Sequence, residues 1–498
     1  METEDTTVPD VRHREGQPGD AGESKRRAAS ANAWNDGTGP ESGHPAPGRA
    51  TRRRRVGSFN PGPAELRHMT TLGISGGRVL RPDMTVMETD VVADRETGRI
   101  VAVEDGADAD KTLDASGGLV VPGLVNAHCH VAMTLLRGYA DDKPLDAWLR
   151  EDIWPVEAAL DPADVRAGAR LGLVEMIRNG VTAVGDMYFH VPEVAAAVGE
   201  AGLRARVGHG VVTAGKDDAE ARADFEEGLA VARELDGAAG GRVRTALMPH
   251  SLTTASAELL EEFVPRAREA GVPLHYHANE TEDEVRPIVE DHGVRPLEYA
   301  DDLGLLESSD FVAHGVHVDA AEVELLAERG VGVAHCPASN MKLASGIAPV
   351  EALLEAGVTV GVGTDGAASN NDLDVLEETR DAAMVGKLAA EDAAAVPART
   401  AIRAATAGGA DLLGFDAGRV ETGALADLAV VDLEAPHLTP EHDLVSHLAY
   451  AARGSDVRHT VVGGEVLMRD REVLSTDVAA VRREAERHAR AAIDRASG

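Results

Sequence analysis

The run Pro122-Gly-Leu-Val-Asn-Ala-His128-Cys-His130 carries the strongest structural signal in the chain. It reads as the end of a buried strand that finishes on two histidines. Residues two apart in a strand point to the same face, so His128 and His130 should project together while Cys129 points away. Two imidazoles converging from one strand are half of a metal site. A lone His-x-His also occurs at ordinary turns, so the interpretation depends on partners elsewhere in the chain.

From this run towards the C-terminus, predicted strands alternate with predicted helices. Apolar strand candidates alternate with helical runs such as residues 162–179 and 217–235. Eight such strands predict an α/β fold of the (β/α)8 barrel type, in which chemistry lies at the carboxyl ends of the strands. The predicted strands are 118–130, 180–187, 204–212, 243–250, 272–277, 310–314, 330–336 and 358–365.

Polar side chains stand at the end of nearly every predicted strand. Packing alone does not explain this pattern, because strand ends in a buried sheet have no general need for imidazoles and carboxylates. The barrel arrangement would bring these side chains to one face. The residues at the strand ends are His128, His130, Asp186, His209, His250, His277, His314, His335 and Asp365.

Short alternating β-type runs flank the barrel pattern on both sides. They lie between residues 72 and 119 and between residues 426 and 468, where Gly463-Gly464 is a hairpin signal. We expect both regions to form one small β-sandwich. The predicted domains are a disordered N-terminal extension (1–69), a composite β-sandwich (70–122 and 418–475), a barrel (123–417) and a C-terminal helix (476–498).

Composition excludes several classes of partner. The formal net charge is −36 and the basic residues are mostly Arg, which argues against nucleic acid or an anionic membrane as partner. The same acidity resembles the surfaces of halophilic proteins. Two cysteines in 498 residues do not make a disulfide framework. No apolar run is long enough to span a bilayer and the N-terminus lacks a signal-peptide core, so we expect a cytoplasmic protein.

Several longer motifs resemble those of the amidohydrolase superfamily, and most closely those of its 5-methylthioadenosine and S-adenosylhomocysteine deaminases. The resemblance runs from about Ser75 to Arg469. It implies a hydrolytic deaminase that converts the 6-amino group of an adenosine-type nucleoside and releases ammonia. The matching stretches are PGLVNAHCHVAMTLLRG, DIWPVEAAL, GVTAVGDMY, MPHS, HYHANETEDEV, AHGVH, HCPASNMKLASGIAPV and VGTDGAASNNDLDVLEE.

The resemblance implies one divalent metal bound by His128, His130, His277 and Asp365. Three neutral imidazoles and one carboxylate suit Zn²⁺, with Fe²⁺ as an alternative. His275 faces the same way as His277 and is a rival ligand. The family pattern favours His277, because a glutamate then follows three residues later.

The resemblance implies a catalytic role for that glutamate, Glu280. It would protonate the ring nitrogen beside the attacked carbon. Asp365 would take the proton from water, and His314 would orient the nucleophile and stabilise developing charge. From the residues alone, Glu280 is also typical of an acid that stabilises a helix N-terminus.

The resemblance also implies the substrate contacts. Glu157 matches an acid that binds the ribose hydroxyls, and His250 matches a residue that contacts the purine. The family often has two arginines for the polar tail at the ribose 5′ position. Here His209 stands where the first is expected and Arg222 is the candidate for the second. Loss of an arginine favours a less charged 5′ group, as in methylthioadenosine or 5′-deoxyadenosine.

Other functions stay open from the sequence. A binuclear amidohydrolase needs a lysine at the end of the fourth strand, where this chain has Met248-Pro249-His250, so we expect one metal. Hydrolysis of another amino- or chloro-substituted heterocycle, of the guanine or triazine type, is the nearest rival. A non-catalytic barrel scaffold is a further alternative, and the chain retains every ligand that such a scaffold would lose. A homo-oligomer is open.

Overall fold

A computed structural model of the chain describes residues 70–498. The prediction of a disordered extension over residues 1–69 lies outside the described residues. The strands are β1 (Thr71–Ser75), β2 (Arg78–Leu80), β3 (Val86–Glu88), β4 (Val91–Asp94), β5 (Arg99–Val103), β6 (Lys111–Asp114), β7 (Gly118–Pro122), β8 (Leu124–Cys129), β9 (Val181–Tyr188), β10 (Arg204–Val211), β11 (Val243–Thr245), β12 (Met248–Pro249), β13 (His275–Ala278), β14 (Phe311–His314), β15 (Gly332–His335), β16 (Val360–Val362), β17 (Leu428–Asp432), β18 (Val457–Val462), β19 (Glu465–Arg469) and β20 (Glu472–Val473).

Helices fill most of the intervals between the central strands. The α-helices are α1 (Leu145–Trp148), α2 (Trp154–Glu157), α3 (Pro162–Arg178), α4 (Val191–Ala201), α5 (Asp218–Glu234), α6 (Ala238–Gly241), α7 (Ala257–Glu269), α8 (Glu282–His292), α9 (Pro296–Asp302), α10 (Ala320–Arg329), α11 (Pro337–Lys342), α12 (Val350–Glu355), α13 (Val375–Ala389), α14 (Ala398–Arg403), α15 (Gly409–Leu413), α16 (Leu444–Tyr450) and α17 (Val478–Ser497). Short 3₁₀ or π turns cover Val131–Leu136, Leu149–Ile153, Ala404–Gly408, Pro436–Leu438 and Gly454–Asp456.

The central strands form two parallel sheets. The first has the order β11-β10-β9-β8 with β12 paired to β10, and the second has the order β13-β14-β15-β16. Isolated parallel bridges join Leu247 to Leu274 and Ser251 to His277, so the sheets are neighbours. Strands occupy all eight predicted positions. A continuous ladder between β16 and β8 is not found within residues 70–498, although Asp365 N donates to His128 O at 3.0 Å.

Local sequence explains where the long helices begin. Asp161 opens α3 with a capping box, followed by a proline whose fixed φ suits the first turn. Asp319 opens α10 with the same device, and α10 ends at Gly330 in the left-handed region (φ 71°). These helices lead into β9 and β15, which belong to the two parallel sheets.

The two ends of the described chain meet in one sheet. Its order is β20-β19-β18-β17-β7-β2-β3, and β17 pairs antiparallel with β7 so that Val430 lies opposite Val120. The predicted hairpin at Gly463-Gly464 joins β18 to β19, and both glycines have positive φ (57° and 74°). A second sheet has the order β5-β4-β1-β6. Buried apolar side chains from both sheets form one cluster, among them Ile74, Val91 and Val461.

The predicted single strand over residues 118–130 is wrong in one respect, because it breaks at Gly123. Gly123 N donates to Asp427 O at 2.8 Å, and Leu124 N donates to Gly180 O at 3.0 Å. The chain therefore leaves the sheet of the chain ends and enters the first parallel sheet within one residue. A Cβ atom at this position would lie 2.2 Å from Thr182 Oγ1, so the crossing requires glycine.

The predicted C-terminal helix is α17, which packs against α3. Asp164 on α3 is completely buried and accepts a hydrogen bond from His488 Nδ1 at 2.7 Å. Arg495 also pairs with Asp164, and Arg170 pairs with Glu484 at 2.5 Å. Polar pairs around the buried Asp164 and a partly exposed ion pair therefore join this helix to α3. None of the helices in residues 70–498 has the length and apolar character to cross a membrane.

Candidate metal centre and cavity

Four predicted ligands from distant parts of the chain converge at the carboxyl edge of the parallel sheets. One ligand atom from each of His128, His130, His277 and Asp365 lies within 4.8 Å of the others. Nε2 of His130 is 3.1 Å from Asp365 Oδ1 and 3.3 Å from His277 Nε2. Nε2 of His128 is 3.5 Å from the same Asp365 oxygen. This spacing fits a group of ligands around one small cation.

Hydrogen bonds behind the three imidazoles fix which nitrogen faces the centre. His130 Nδ1 donates to Met187 O at 2.6 Å and His277 Nδ1 donates to His250 O at 2.7 Å. In its neutral form, each ring therefore presents the Nε2 lone pair to the centre. Metal-binding histidines are usually held this way by a backbone carbonyl.

The third imidazole is oriented through His275, the rival ligand. His275 Nδ1 donates to Phe311 O at 2.9 Å, so its Nε2 accepts from His128 Nδ1 at 2.8 Å. His275 thus lies behind His128 and is outside the ligand group. Nε2 of His128 is buried and has no hydrogen-bond partner. A buried lone pair without a donor is costly, and a cation at this point would satisfy it, so the donor set fits Zn²⁺ or a similar ion.

Two serines fix the carboxylate of Asp365. Ser339 Oγ and Ser369 Oγ each donate to Asp365 Oδ2 at 2.7 Å. Oδ1 is left to face His128 and His130. Ser339 was not among the predicted site residues. It is the third residue of α11, and this position gives no signal of its role.

Three residues at the sheet edge have left-handed backbone conformations. Asn279, His314 and Asp365 have φ values of 53°, 71° and 60°. Such conformations cost on the order of 1–3 kcal/mol each for residues other than glycine and concentrate at functional sites. Each of these residues turns the chain sharply at the end of a strand. The turns bring the side chains of His314, Asp365 and Glu280, which follows Asn279, to the cavity.

Burial and the Asp365 charge set the protonation of the ligand group. Burial lowers the pKa of His128 to about 4, so its imidazole is neutral near pH 7. Burial also disfavours charge on His130, but its hydrogen bond and charge interaction with Asp365 raise its pKa to about 9. In the absence of an ion, His130 and Asp365 form an ion pair. Binding of a dication there would release the His130 proton.

A cavity of about 800 Å³ opens from the ligand group. This volume suits a nucleoside-sized molecule. The cavity brings together three of the ligands with most of the other predicted site residues. Its lining includes His130, His277, Asp365, Glu157, His250, Glu280 and His314.

Glu280 lies beside His314 in this cavity. Its Oε2 is 3.6 Å from His314 Nε2, and Ser345 Oγ donates to Oε1 at 3.5 Å. Burial is the main cause that raises the pKa of Glu280, and the Asp365 charge adds to it. A carboxyl group with a raised pKa is suited to donate a proton near neutral pH. His314 Nδ1 contacts Asn340 Oδ1 at 2.9 Å, which fixes the ring.

Glu157 and His250 line other parts of the cavity. Burial raises the pKa of Glu157 to about 7, and the nearby Tyr188 hydroxyl opposes this rise. Its Oε1 is buried without a hydrogen-bond partner, which leaves an acceptor for a ligand hydroxyl. Burial lowers the pKa of His250 to about 3, so this ring stays neutral and can contact an uncharged heterocycle.

The structure does not bring the two predicted 5′-group residues to the cavity lining. His209 is buried, and its Nε2 donates to Asp224 Oδ1 at 2.9 Å. Arg222 lies on α5 and pairs with Glu262 on α7 at 2.5 Å. Arg222 is about half exposed there, on the side of α5 that packs against α7.

A mixed α/β fold with a cluster of three imidazoles and a carboxylate at a sheet edge defines a candidate metal-dependent hydrolase. Comparison with known proteins gives the family. The amidohydrolase family matches residues 119–467, and the chain belongs to this family.

Individual relatives agree with that assignment. The chain is similar to a 5-methylthioadenosine/S-adenosylhomocysteine deaminase from Natronomonas pharaonis, with 76% identity over 86% of this chain and 100% of the relative. It is also similar to a 5′-deoxyadenosine deaminase from Methanothermobacter thermautotrophicus, with 46% identity over 74% of this chain and 86% of the relative. A solved adenosine deaminase from Xanthomonas campestris with bound zinc has 39% identity, covers 85% of this chain and 98% of that chain, and superimposes with a TM-score of 0.80.

Proposed function

We propose that this protein is a metal-dependent hydrolytic deaminase of adenosine-type nucleosides. It replaces the 6-amino group by oxygen and releases ammonia. The observation that carries the proposal is the meeting of His128, His130, His277 and Asp365 beside a cavity that Glu280 also lines. The names of the relatives support the nucleoside as substrate.

The metal is proposed to be one divalent ion, Zn²⁺ first and Fe²⁺ as the alternative. When bound, such an ion supplies the Lewis acidity that makes water a nucleophile near neutral pH. The chain's own part is to hold three neutral imidazoles and one carboxylate towards a common point. Met187 O, His250 O and His275 hold those rings in the required tautomer.

Proton transfer is assigned to two carboxyl groups. Asp365 receives the proton from the attacking water and passes it to the amino group, so that the C–N bond breaks and ammonia leaves. The orientation of Asp365 depends on Ser339 and Ser369. Glu280 gives a proton to the ring nitrogen beside the attacked carbon, for which its raised pKa suits it. His314 orients the nucleophile and stabilises the negative charge that develops.

The nucleoside is held by Glu157 and His250 in this proposal. The free Oε1 of Glu157 accepts from the ribose hydroxyls, and a carboxylate accepting from a diol makes strong, charge-assisted hydrogen bonds. His250, which stays neutral, lies against the purine.

The cavity lining favours an uncharged group at the ribose 5′ position. Among the described residues that line it, Arg150 is the one Arg or Lys, and it already pairs with Asp146 at 2.6 Å. A free carboxylate on the substrate would lack a dedicated partner. Methylthioadenosine, 5′-deoxyadenosine and adenosine, whose 5′ groups carry no charge, are therefore preferred to S-adenosylhomocysteine.

Ammonia release tests the proposal. Purified protein with Zn²⁺ is assayed in high salt with adenosine, methylthioadenosine, 5′-deoxyadenosine and S-adenosylhomocysteine, and kcat/KM is compared. We expect turnover of all four nucleosides, slowest for S-adenosylhomocysteine, whose 5′ group is charged. Guanine and an amino- or chloro-triazine are assayed beside them. Turnover of one of these heterocycles with no nucleoside activity would overturn the proposal in favour of the rival hydrolase, and full metal occupancy with no activity would favour a scaffold.

Finer features of the fold belong to the same proposal. We propose that the two parallel sheets close into a (β/α)8 barrel over residues 123–417, supported by the Asp365 N to His128 O hydrogen bond. The sheets of the chain ends (70–122 and 418–475) would pack as a β-sandwich around their shared apolar cluster. The acidic composition suits a halophilic cytoplasm, where both cysteines, which are buried and unpaired in the structure, stay reduced.

A further inference from the structure

Glu322 is a completely buried carboxylate that takes no part in the proposed reaction. It accepts hydrogen bonds from four groups. Arg295 Nε donates at 2.8 Å, Leu297 N at 3.0 Å and Asp319 N at 3.1 Å, and Asn279 Nδ2 lies 3.1 Å from both carboxylate oxygens. Every neighbour is a donor, so this site requires a group that only accepts.

The Asn279 contact connects Glu322 to the cavity. Asn279 follows β13 in a left-handed conformation (φ 53°) and directly precedes Glu280. Its side-chain NH₂ group is held by Glu322, and its backbone carbonyl accepts from His317 N at 2.8 Å. The sharp turn that aims Glu280 into the cavity is therefore held from both the side chain and the backbone of Asn279.

The carboxyl group of Glu280 has only weak contacts of its own. Ser345 Oγ lies at 3.5 Å and His314 Nε2 at 3.6 Å, which is at or beyond the limit of a good hydrogen bond. Its backbone N–H is better held and donates to Glu284 Oε2 at 2.8 Å. The position of the carboxyl group consequently depends on the backbone turn that carries it.

We propose that Glu322 is a positioning residue for proton transfer. By holding the Asn279 amide, it keeps the left-handed turn and so sets where Glu280 meets the substrate. An error of about 1 Å in the position of a reacting group can cost on the order of 10²-fold in rate. This inference rests on the proposed function, since it is there that Glu280 donates a proton.

The test compares Glu322→Gln with a matched control, Asp164→Asn. Asp164 is also a completely buried acid at the third position of a capped helix, and Arg495 also pairs with it. It does not line the cavity. We measure kcat and KM per bound Zn²⁺, together with thermal unfolding.

Glu322→Gln places an NH₂ group against donors. We expect kcat to fall about tenfold or more with KM within about twofold and Zn²⁺ content unchanged. Asp164→Asn is expected to lower the unfolding temperature and leave kcat per bound Zn²⁺ at the wild-type value. Equal losses of kcat in both variants, or a wild-type kcat in Glu322→Gln, would overturn the positioning role.

A double-mutant cycle isolates the Asn279 contact. Glycine adopts positive φ without cost, so Asn279→Gly removes the amide while keeping the turn accessible. We expect Asn279→Gly to reduce kcat, and the double variant with Glu322→Gln to be no slower than the slower single variant. Losses that multiply would show that the two residues act independently and would reject the proposal. Asn279→Gly, which leaves Glu322 and its three other donors in place, also gives the answer if Glu322→Gln does not fold.

Glu280→Gln, assayed in parallel, separates this inference from the proposed function. If Glu280→Gln turns over like the wild type, Glu280 is not the proton donor and the proposed mechanism fails with the positioning role. If Glu280→Gln is inactive while Glu322→Gln and Asn279→Gly keep wild-type kcat, the proposed function stands and the positioning role alone is rejected.

Discussion

The sheets of the chain ends and the edge of the parallel sheets bury opposite kinds of chemistry. The first region buries aliphatic side chains such as Ile74, Leu428 and Val430 around one apolar cluster. The second buries imidazoles and carboxylates on left-handed turns. Burial of apolar area stabilises a fold, whereas burial of polar atoms without partners opposes it. The apolar cluster of the chain-end sheets and the polar groups of the sheet edge thus lie in different parts of one chain.

This contrast predicts that the two regions respond differently to perturbation. A change at the sheet edge should alter activity and metal content, and a change in the apolar cluster should alter stability alone. The following tests run from the largest expected effect on activity to the smallest.

Metal removal is expected to have the largest effect. Dialysis against a chelator should abolish ammonia release and lower the unfolding temperature, because the ligand group loses the ion that binds only the folded chain. Added Zn²⁺ or Fe²⁺ should restore both. His277→Ala should bind less than one equivalent of metal in elemental analysis. Full activity after verified removal of metal would contradict the prediction that the ligand group at the sheet edge determines activity.

Glu280→Gln should keep its metal and lose activity by on the order of 10²-fold or more. The amide has nearly the shape of the carboxyl group but cannot supply the proton. Elemental analysis and kcat per bound metal measure the two effects separately. Loss of metal together with activity would indicate a structural role at the sheet edge.

Glu157 should give the activity a pH dependence through KM. With a pKa of about 7, Glu157 ionises as the pH rises from 6 to 8, and only the ionised form is a strong acceptor for the ribose hydroxyls. KM should therefore fall as the pH rises through this range. Glu157→Gln should show a higher KM that is nearly flat between pH 6 and 8, and an unchanged pH profile in that variant would exclude Glu157 as the cause.

Leu428→Ala should have the smallest effect on activity. This side chain is fully buried in the apolar cluster, and its truncation should reduce the free energy of unfolding by about 2–5 kcal/mol. Denaturant unfolding measures this loss. The value of kcat per bound metal should stay unchanged at a temperature where the variant is folded, and a fall in kcat would show that the two regions are coupled.

The sequence was most informative where chemistry repeats at strand ends. The spacing of His128 and His130 predicted their common direction, and the strands were found at all eight predicted positions. The family resemblance separated His277 from His275, a choice that strand periodicity left open. In the structure, the ring of His275 faces His128, and this arrangement depends on a hydrogen bond to Phe311 that spans 36 residues.

The remaining features depend on contacts that sequence spacing does not encode. Ser339 reaches Asp365 across 26 residues, and Asn279 reaches Glu322 across 43. An alignment gives the position of Arg222 along a helix but not the neighbour that its side chain faces, which here supplies Glu262. Tertiary packing decides each of these cases.

The pairing of β7 with β17 has a consequence for the order of events during synthesis. Val120 meets Val430, which follows about 310 residues later along the chain. Contacts between such distant segments form slowly, because a long loop must close first. While the ribosome makes the central strands, β7 lacks this neighbour, and the sheet that β7 shares with β17 is completed only after residues 457–473 have emerged.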